Sequence, residues 1–136
     1  MYTSELKLRA RYGETDQMGF VYYGNYASYY EVARVESLRK LGLTYKELEQ
    51  TGIIMPVMEN HSWYFKPATY DEELTIVTSI KQKPEIRITF YYEIFNENKD
   101  LIHKGETKLT FVNRETGRPC KPPQEFSEAL APFFNL

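Results

Sequence analysis

Asp16 lies in a loop bracketed by Gly13 and Gly19, just upstream of a run with helical character. That arrangement brings together two kinds of group that can act on one electrophile. A carboxylate can take a proton from an attacking water or attack directly. The first free amides of a helix carry partial positive charge and suit a developing oxyanion. An Asp in a glycine-flanked loop is equally an ordinary turn former that bonds its own backbone, and spacing alone does not separate the two roles.

The helix that must supply those amides is predicted over Ala27 to Leu41. Tyr26, Tyr30, Ala33, Ser37 and Leu41 fall on one line, flanked by Ala27, Tyr29 and Leu38, as a period of about 3.6 requires. Gly24-Asn25 reads as its start, with the Asn25 side chain as N-cap acceptor, and Gly42 reads as its stop. Val32 and Val35 interrupt the opposite face, while Glu31 with Arg34 and Glu36 with Lys40 have ion-pair spacing. A helix of this kind is expected to be covered on several sides.

The remaining text is mostly strand. Glu5 to Tyr12 alternates Leu6, Leu8 and Ala10 against Lys7, Arg9 and Arg11. Thr44 followed by Glu47 is a capping-box pattern opening a short helix that Gly52 ends. From Ile53, Met58, Asn60, Ser62 and Tyr64 should face one way and Glu59, His61, Trp63 and Phe65 the other, with Pro67 closing the strand. Leu74 to Lys83, Glu85 to Asn96 and Leu101 to Asn113 read as strands, separated by Pro84 and by the turn Asn96 to Asp100, and are expected to form a meander. Arg114 to Pro123 is loop by its Gly and Pro content, and Gln124 to Phe134 is a short helix packed through Phe126, Leu130, Phe133 and Phe134. An early long helix followed by short hairpins is α+β, since short turns cannot make parallel crossovers. A curved antiparallel sheet wrapped around one helix is the expected layout, built as one domain over residues 1–136.

The composition, with 42% hydrophobic and 15% aromatic residues, supports a packed core and argues against disorder. A formal charge of -2 provides no global field for nucleic acid, which is not expected as a partner. No apolar run is long enough to span a bilayer, so no transmembrane segment is expected. Cys120 stands alone, which excludes an intrachain disulfide, and Met1 to Glu5 has neither the basic leader nor the apolar run of a secretory signal. The expected location is cytoplasmic.

Asp16-x-x-Gly19-x-Val21-x-Tyr23-x-Asn25-Tyr26, followed by Tyr30-Glu31-x-Ala33-Arg34-x-Glu36, resembles the signature of hotdog-fold thioesterases of the 4-hydroxybenzoyl-CoA thioesterase type. The segment Tyr64-Phe65-Lys66-Pro67-Ala68-Thr69-Tyr70-Asp71-Glu72-Glu73-Leu74 continues the likeness, which runs from the first strand to the loop around Pro122. The resemblance implies a hotdog fold and a homodimer or homotetramer. It further implies that Asp16 is the catalytic carboxylate, as base or nucleophile, and that the Tyr23 backbone amide polarises a thioester carbonyl, with Gly24 and Asn25 beside it on the substrate. A thioester suits so small a set of groups, because its sulfur leaves as a thiolate of pKa about 8.5 on the cysteine reference.

Other residues carry weaker chemistry. His61 and His103 sit in strand patterns, and two histidines with one cysteine are a poor zinc set, so no metal and no cofactor is expected. Cys120 has no neighbouring histidine in sequence, and no nucleophile-elbow motif is present. Arg114, Arg118 and Lys121 form a basic loop, of which Arg118 and Lys121 are candidates to meet coenzyme A phosphates; the alternative is a solvated turn balanced by Glu115 and Glu125. The sequence reading is an acyl-CoA thioesterase. A thioesterase taking its acyl group from acyl carrier protein, and a non-catalytic acyl-binding hotdog module, remain as alternatives.

Overall fold

A computed structural model describes residues 1–134. The first strand, β1 (Tyr2–Arg9), starts earlier than the Leu/Lys alternation suggested. Tyr2 extends it, because its ring packs edge-on against Phe133 and its hydroxyl donates to the Ser37 carbonyl at 2.6 Å. After the Asp16 loop comes α1 (Tyr26–Arg39), then α2 (Tyr45–Gln50), β2 (Ile53–Ile54), β3 (Val57–Tyr64), β4 (Glu73–Ile80), β5 (Arg87–Phe95), β6 (Leu101–Thr110), β7 (Val112–Asn113) and α3 (Gln124–Leu130).

The main sheet is antiparallel in the order β1-β4-β5-β6-β3, and β2 pairs with β7 in a two-stranded ribbon. The expected meander is β4-β5-β6; β1 and β3 join its flanks from earlier in the chain. Inward residues of the meander, Leu74, Ile76, Ile88, Phe90, Ile94, Ile102, Leu109 and Phe111, are almost wholly buried. Each such side chain stabilises the fold by about 1.5–3 kcal/mol relative to exposure.

The helix α1 buries Tyr26, Tyr29, Tyr30, Ala33, Arg34, Ser37 and Leu38. Gly42, at φ 82°, terminates it, and the Leu43 amide donates back to the Leu38 carbonyl at 3.0 Å. That bond, with glycine in the left-handed region, satisfies carbonyls the helix end would strand. The second cap is as expected: Thr44 Oγ1 accepts from the Glu47 amide at 3.2 Å.

Two expectations are corrected. The ion pairs across α1 are different ones. Arg34 turns inward to donate to the Tyr45 hydroxyl at 3.2 Å, Glu36 takes Arg39 at 3.3 Å, and Lys40 donates to the Glu5 carbonyl at 2.6 Å. Within one protomer the helix is not covered on several sides, since Val32 stays 46% exposed. On β3, too, large side chains are exposed: Val57, Met58, Trp63 and Tyr64. The cause is position. β3 pairs only with β6, at the edge of the sheet, while α1 lies nearest β1 and β4.

At the C-terminal end α3 seats Phe126 edge-on against Phe111 at 5.1 Å, and the expected longer helix stops at Leu130 in a 3-10 turn containing Pro132. Among the described residues no helix is long and apolar enough to cross a membrane.

Candidate active site

The Asp16 loop is a closed structure. Thr15 bridges to Val21 and Phe20 to Thr69, so the loop is pinned both to itself and to the segment before β4. The Asp16 amide donates to the Phe20 carbonyl at 2.8 Å, and the Gly19 amide to the Asp16 carbonyl at 3.0 Å. Gly19 sits at φ 81°, a conformation that a side chain would strain. Asp16 Oδ1 accepts from the amides of Met18 at 2.9 Å and Phe20 at 3.3 Å. One carboxylate oxygen holds the turn, and the second lies outside those bonds, so the turn does not use up the group.

The helix start differs from a side-chain N-cap. Tyr23–Asn25 form a 3-10 turn that runs straight into α1, so Asn25 already has helical backbone angles and its side chain caps nothing. Asn25 Nδ2 instead donates to the Glu14 carbonyl at 2.8 Å, tying the helix to the loop. The amides of Tyr22, Asn25 and Tyr26 donate to Glu14, Tyr22 and Tyr23 carbonyls, whereas no backbone carbonyl among the described residues accepts from Tyr23 or Gly24. Those are the orphan donors that a helix start offers a ligand.

Asp16 and Tyr23 line one pocket of about 310 Å³, walled by Met18, Phe20, Tyr26, Tyr64, Phe65 and Pro67 and carrying Lys66 at its rim. Its lining is largely aromatic, with Asp16 and Lys66 as the charged residues. Lys66 is 58% exposed and reaches Asp100 at 3.2 Å. Tyr26, whose hydroxyl meets the Ala68 backbone, is pushed up to about 12 chiefly by burial, so it is a neutral wall at any working pH.

Sequence reasoning missed Glu14, which holds the loop to the helix. Its Oε1 accepts from the Arg11 amide at 2.9 Å and from the Tyr29 hydroxyl at 2.8 Å, and its Oε2 from the Arg11 guanidinium at 2.9 Å. Burial would raise its pKa, but these donors outweigh burial and hold the carboxyl below its ordinary range. The Arg11-x-x-Glu14 spacing was the available signal; the Tyr29 contact, across a whole loop, had none.

The remaining candidates are scattered. Gly24 carries one of the unpaired amides, but its φ is not positive, and an added Cβ would meet the Tyr22 ring at 2.8 Å. Arg118 and Lys121 do not line the Asp16 pocket. Lys121 borders a separate groove with Lys83, Pro84, Glu85 and Ile86, and Arg118 sits in the turn after β7, its amide on Thr116 Oγ1 at 3.2 Å. The reason is the length of β6: the pocket adjoins its start, where the Phe65 amide bonds the Ile102 carbonyl, and the basic loop follows its end. From Ile102 to Thr110 an extended strand covers roughly 26 Å. Along the strand the basic loop stands well away from the Asp16 pocket.

Comparison with known proteins follows the same lines. A sequence profile described as the thioesterase-like superfamily matches residues 10–130. Acyl-CoA thioesterase YbgC of Helicobacter pylori is 31% identical over 134 residues, covering 93% of this chain and 98% of that protein. The crystal structure of a DHNA-CoA thioesterase from Staphylococcus aureus superposes with a TM-score of 0.92 at 36% identity, over 98% of this chain and 91% of that one. A structure of 4-hydroxybenzoyl CoA thioesterase shares the fold with a TM-score of 0.84 at 21% identity, over 95% of this chain and 99% of that one.

Proposed function

Since this chain belongs to the thioesterase-like superfamily, we propose that it hydrolyses acyl-CoA thioesters to the free acid and coenzyme A. The observation that carries this reading is that Asp16 and Tyr23, whose amide donates to no backbone carbonyl among the described residues, line one aromatic-walled pocket. The thioester carbonyl points its oxygen at the amides of Tyr23 and Gly24, which gain most as that oxygen becomes negative in the tetrahedral intermediate. Asp16 either removes a proton from the attacking water or attacks the carbonyl carbon to form a mixed anhydride that water then opens. In both routes the C–S bond breaks, and the sulfur departs as a thiolate of pKa about 8.5, which needs no strong acid beside it. The aromatic wall holds the acyl group, and Lys66 at the rim is placed to meet an anionic part of the coenzyme.

We further propose that the protein works as a homodimer or a larger homo-oligomer. β3 leaves one edge unpaired and exposes Met58, Trp63 and Tyr64, an arrangement that soluble proteins cover. A second copy is also the route by which Arg118 and Lys121 can approach a coenzyme in the pocket.

The test is release of free thiol from a panel of aliphatic and aromatic acyl-CoAs, beside the same acyl groups on acyl carrier protein, with the mass in solution read by light scattering. Turnover of acyl-CoA by an oligomer is expected. Turnover confined to the carrier-protein substrates would move the assignment to that donor, absence of turnover from both would leave an acyl-binding module, and a monomeric mass would remove the oligomer.

A further inference from the structure

Behind the pocket wall, and outside the chemistry just described, lies a fully buried histidine. His103, on β6, is 0% exposed. Its ring stacks face to face on Tyr26, with centroids 4.0 Å apart and planes 4° from parallel. Tyr64 meets the same imidazole edge-on at 4.7 Å, and meets Tyr26 edge-on at 5.6 Å. The three rings form a closed set, and both tyrosines line the pocket. His103 Nε2 is hydrogen-bonded to the Tyr30 hydroxyl, which also shares a hydrogen bond of 2.6 Å with Ser62 Oγ.

The pairing has a register. Tyr26 and Tyr30 are four residues apart and project from one face of α1, while His103 and position 105 are two apart and project from one face of β6. Position 105 is glycine, where a Cβ would come within 2.3 Å of the Tyr30 ring carbon and hydroxyl. The strand thus offers a ring where Tyr26 needs a platform, and a gap where Tyr30 needs room.

Resting on the thioesterase reading, we propose that His103 is a positioning residue: it fixes the Tyr26–Tyr64 wall against which the acyl group packs, and so sets the preference for flat, ring-bearing acyl groups over small aliphatic ones. Packing alone does not account for an imidazole here. Its Nδ1 is buried with no hydrogen-bond partner among the described residues, which costs stability that an apolar ring would not. The imidazole does two things at once: it stacks on Tyr26 and bonds the Tyr30 hydroxyl through Nε2. Burial pushes the imidazole down to about 4, so it does both as a neutral group.

The experiment measures affinity for two unreactive thioether analogues, S-phenacyl-CoA and S-acetonyl-CoA, by calorimetry, together with the thermal midpoint. In His103→Leu both the stacked ring and the unpaired nitrogen are removed while Tyr30 keeps Ser62, so the variant should fold with its midpoint lowered by no more than several degrees. The preference for the phenacyl over the acetonyl ligand should fall by about 10-fold or more, the scale set by misfit in an apolar pocket. His103→Gln keeps a nitrogen for Tyr30 but loses the stacked ring; it should lose the same preference, and it serves if the Leu variant does not fold. An unchanged ratio of the two affinities in a folded variant would overturn the role of His103 while leaving the thioesterase reading intact. Failure of the wild type to bind either analogue would overturn the thioesterase reading, and this inference with it.

Discussion

Two loops of this molecule carry glycine and charge, and they are built to opposite plans. In the loop before α1 the carboxylates are tied down: Asp16 Oδ1 accepts from the amides of Met18 and Phe20, and Glu14 accepts from the Arg11 amide and the Tyr29 hydroxyl. In the loop after β7 the backbone closes around a neutral residue, Asn113, whose Oδ1 accepts from the amides of Glu115 and Thr116 at 2.9 and 3.2 Å. Arg118 and Lys121 make no ion pair there among the described residues. The first loop fixes a carboxylate before any substrate arrives, which is how electrostatic groups become useful in a transition state. The second leaves its two cations, Arg118 and Lys121, outside any such network.

The sharpest break of that contrast is Asp16→Asn. The amide oxygen of Asn can keep the two turn bonds while the charge is lost, so kcat should fall by about 10² to 10⁴, or more if Asp16 is the nucleophile, with the thermal midpoint nearly unchanged. Turnover near normal with a lowered midpoint would return Asp16 to a turn residue.

Glu14 tests whether the preformed loop matters beyond its charge. Glu14→Ala strands the Tyr29 hydroxyl and releases Arg11, so kcat/KM should drop by about 10-fold and the midpoint by several degrees. Acid provides a second reading. A carboxyl whose folded pKa lies below its unfolded value stabilises the fold above the unfolded pKa, and that contribution is lost as pH falls through the folded one. Below about pH 4.5 the midpoint of the wild type should therefore fall more steeply than that of Glu14→Gln, which has no proton to gain. Parallel acid curves for the two proteins would show that Glu14 does not hold the loop.

The smallest effect belongs to the second loop. Arg118→Ala with Lys121→Ala should raise KM for acyl-CoA a few-fold at constant kcat, and should flatten the dependence of KM on salt, because phosphate contacts bind ground and transition states alike. An unchanged KM and salt dependence would leave these residues as a solvated turn.

What could be read from the sequence was what the backbone decides locally. The strands of the meander follow from period-2 alternation, α1 from its 3.6-residue stripe and Gly42, and α2 from Thr44 and Glu47, since each signal and its consequence lie within a few residues. The glycine-bracketed Asp16 was legible for the same reason, as was its double nature as turn former and carboxylate. Placement across the chain was not legible. That Asn25 serves the loop rather than the helix, that Arg34 turns inward between two tyrosines, and that β3 ends at an open edge all depend on which element arrives beside them. The tertiary structure alone brings Glu14 to Tyr29 and His103 to Tyr26, and it alone separates Arg118 and Lys121 from Asp16 by most of the length of β6. Strand register and the seating of a helix on a sheet are set by the summed packing of many side chains, and no single residue's spacing encodes them.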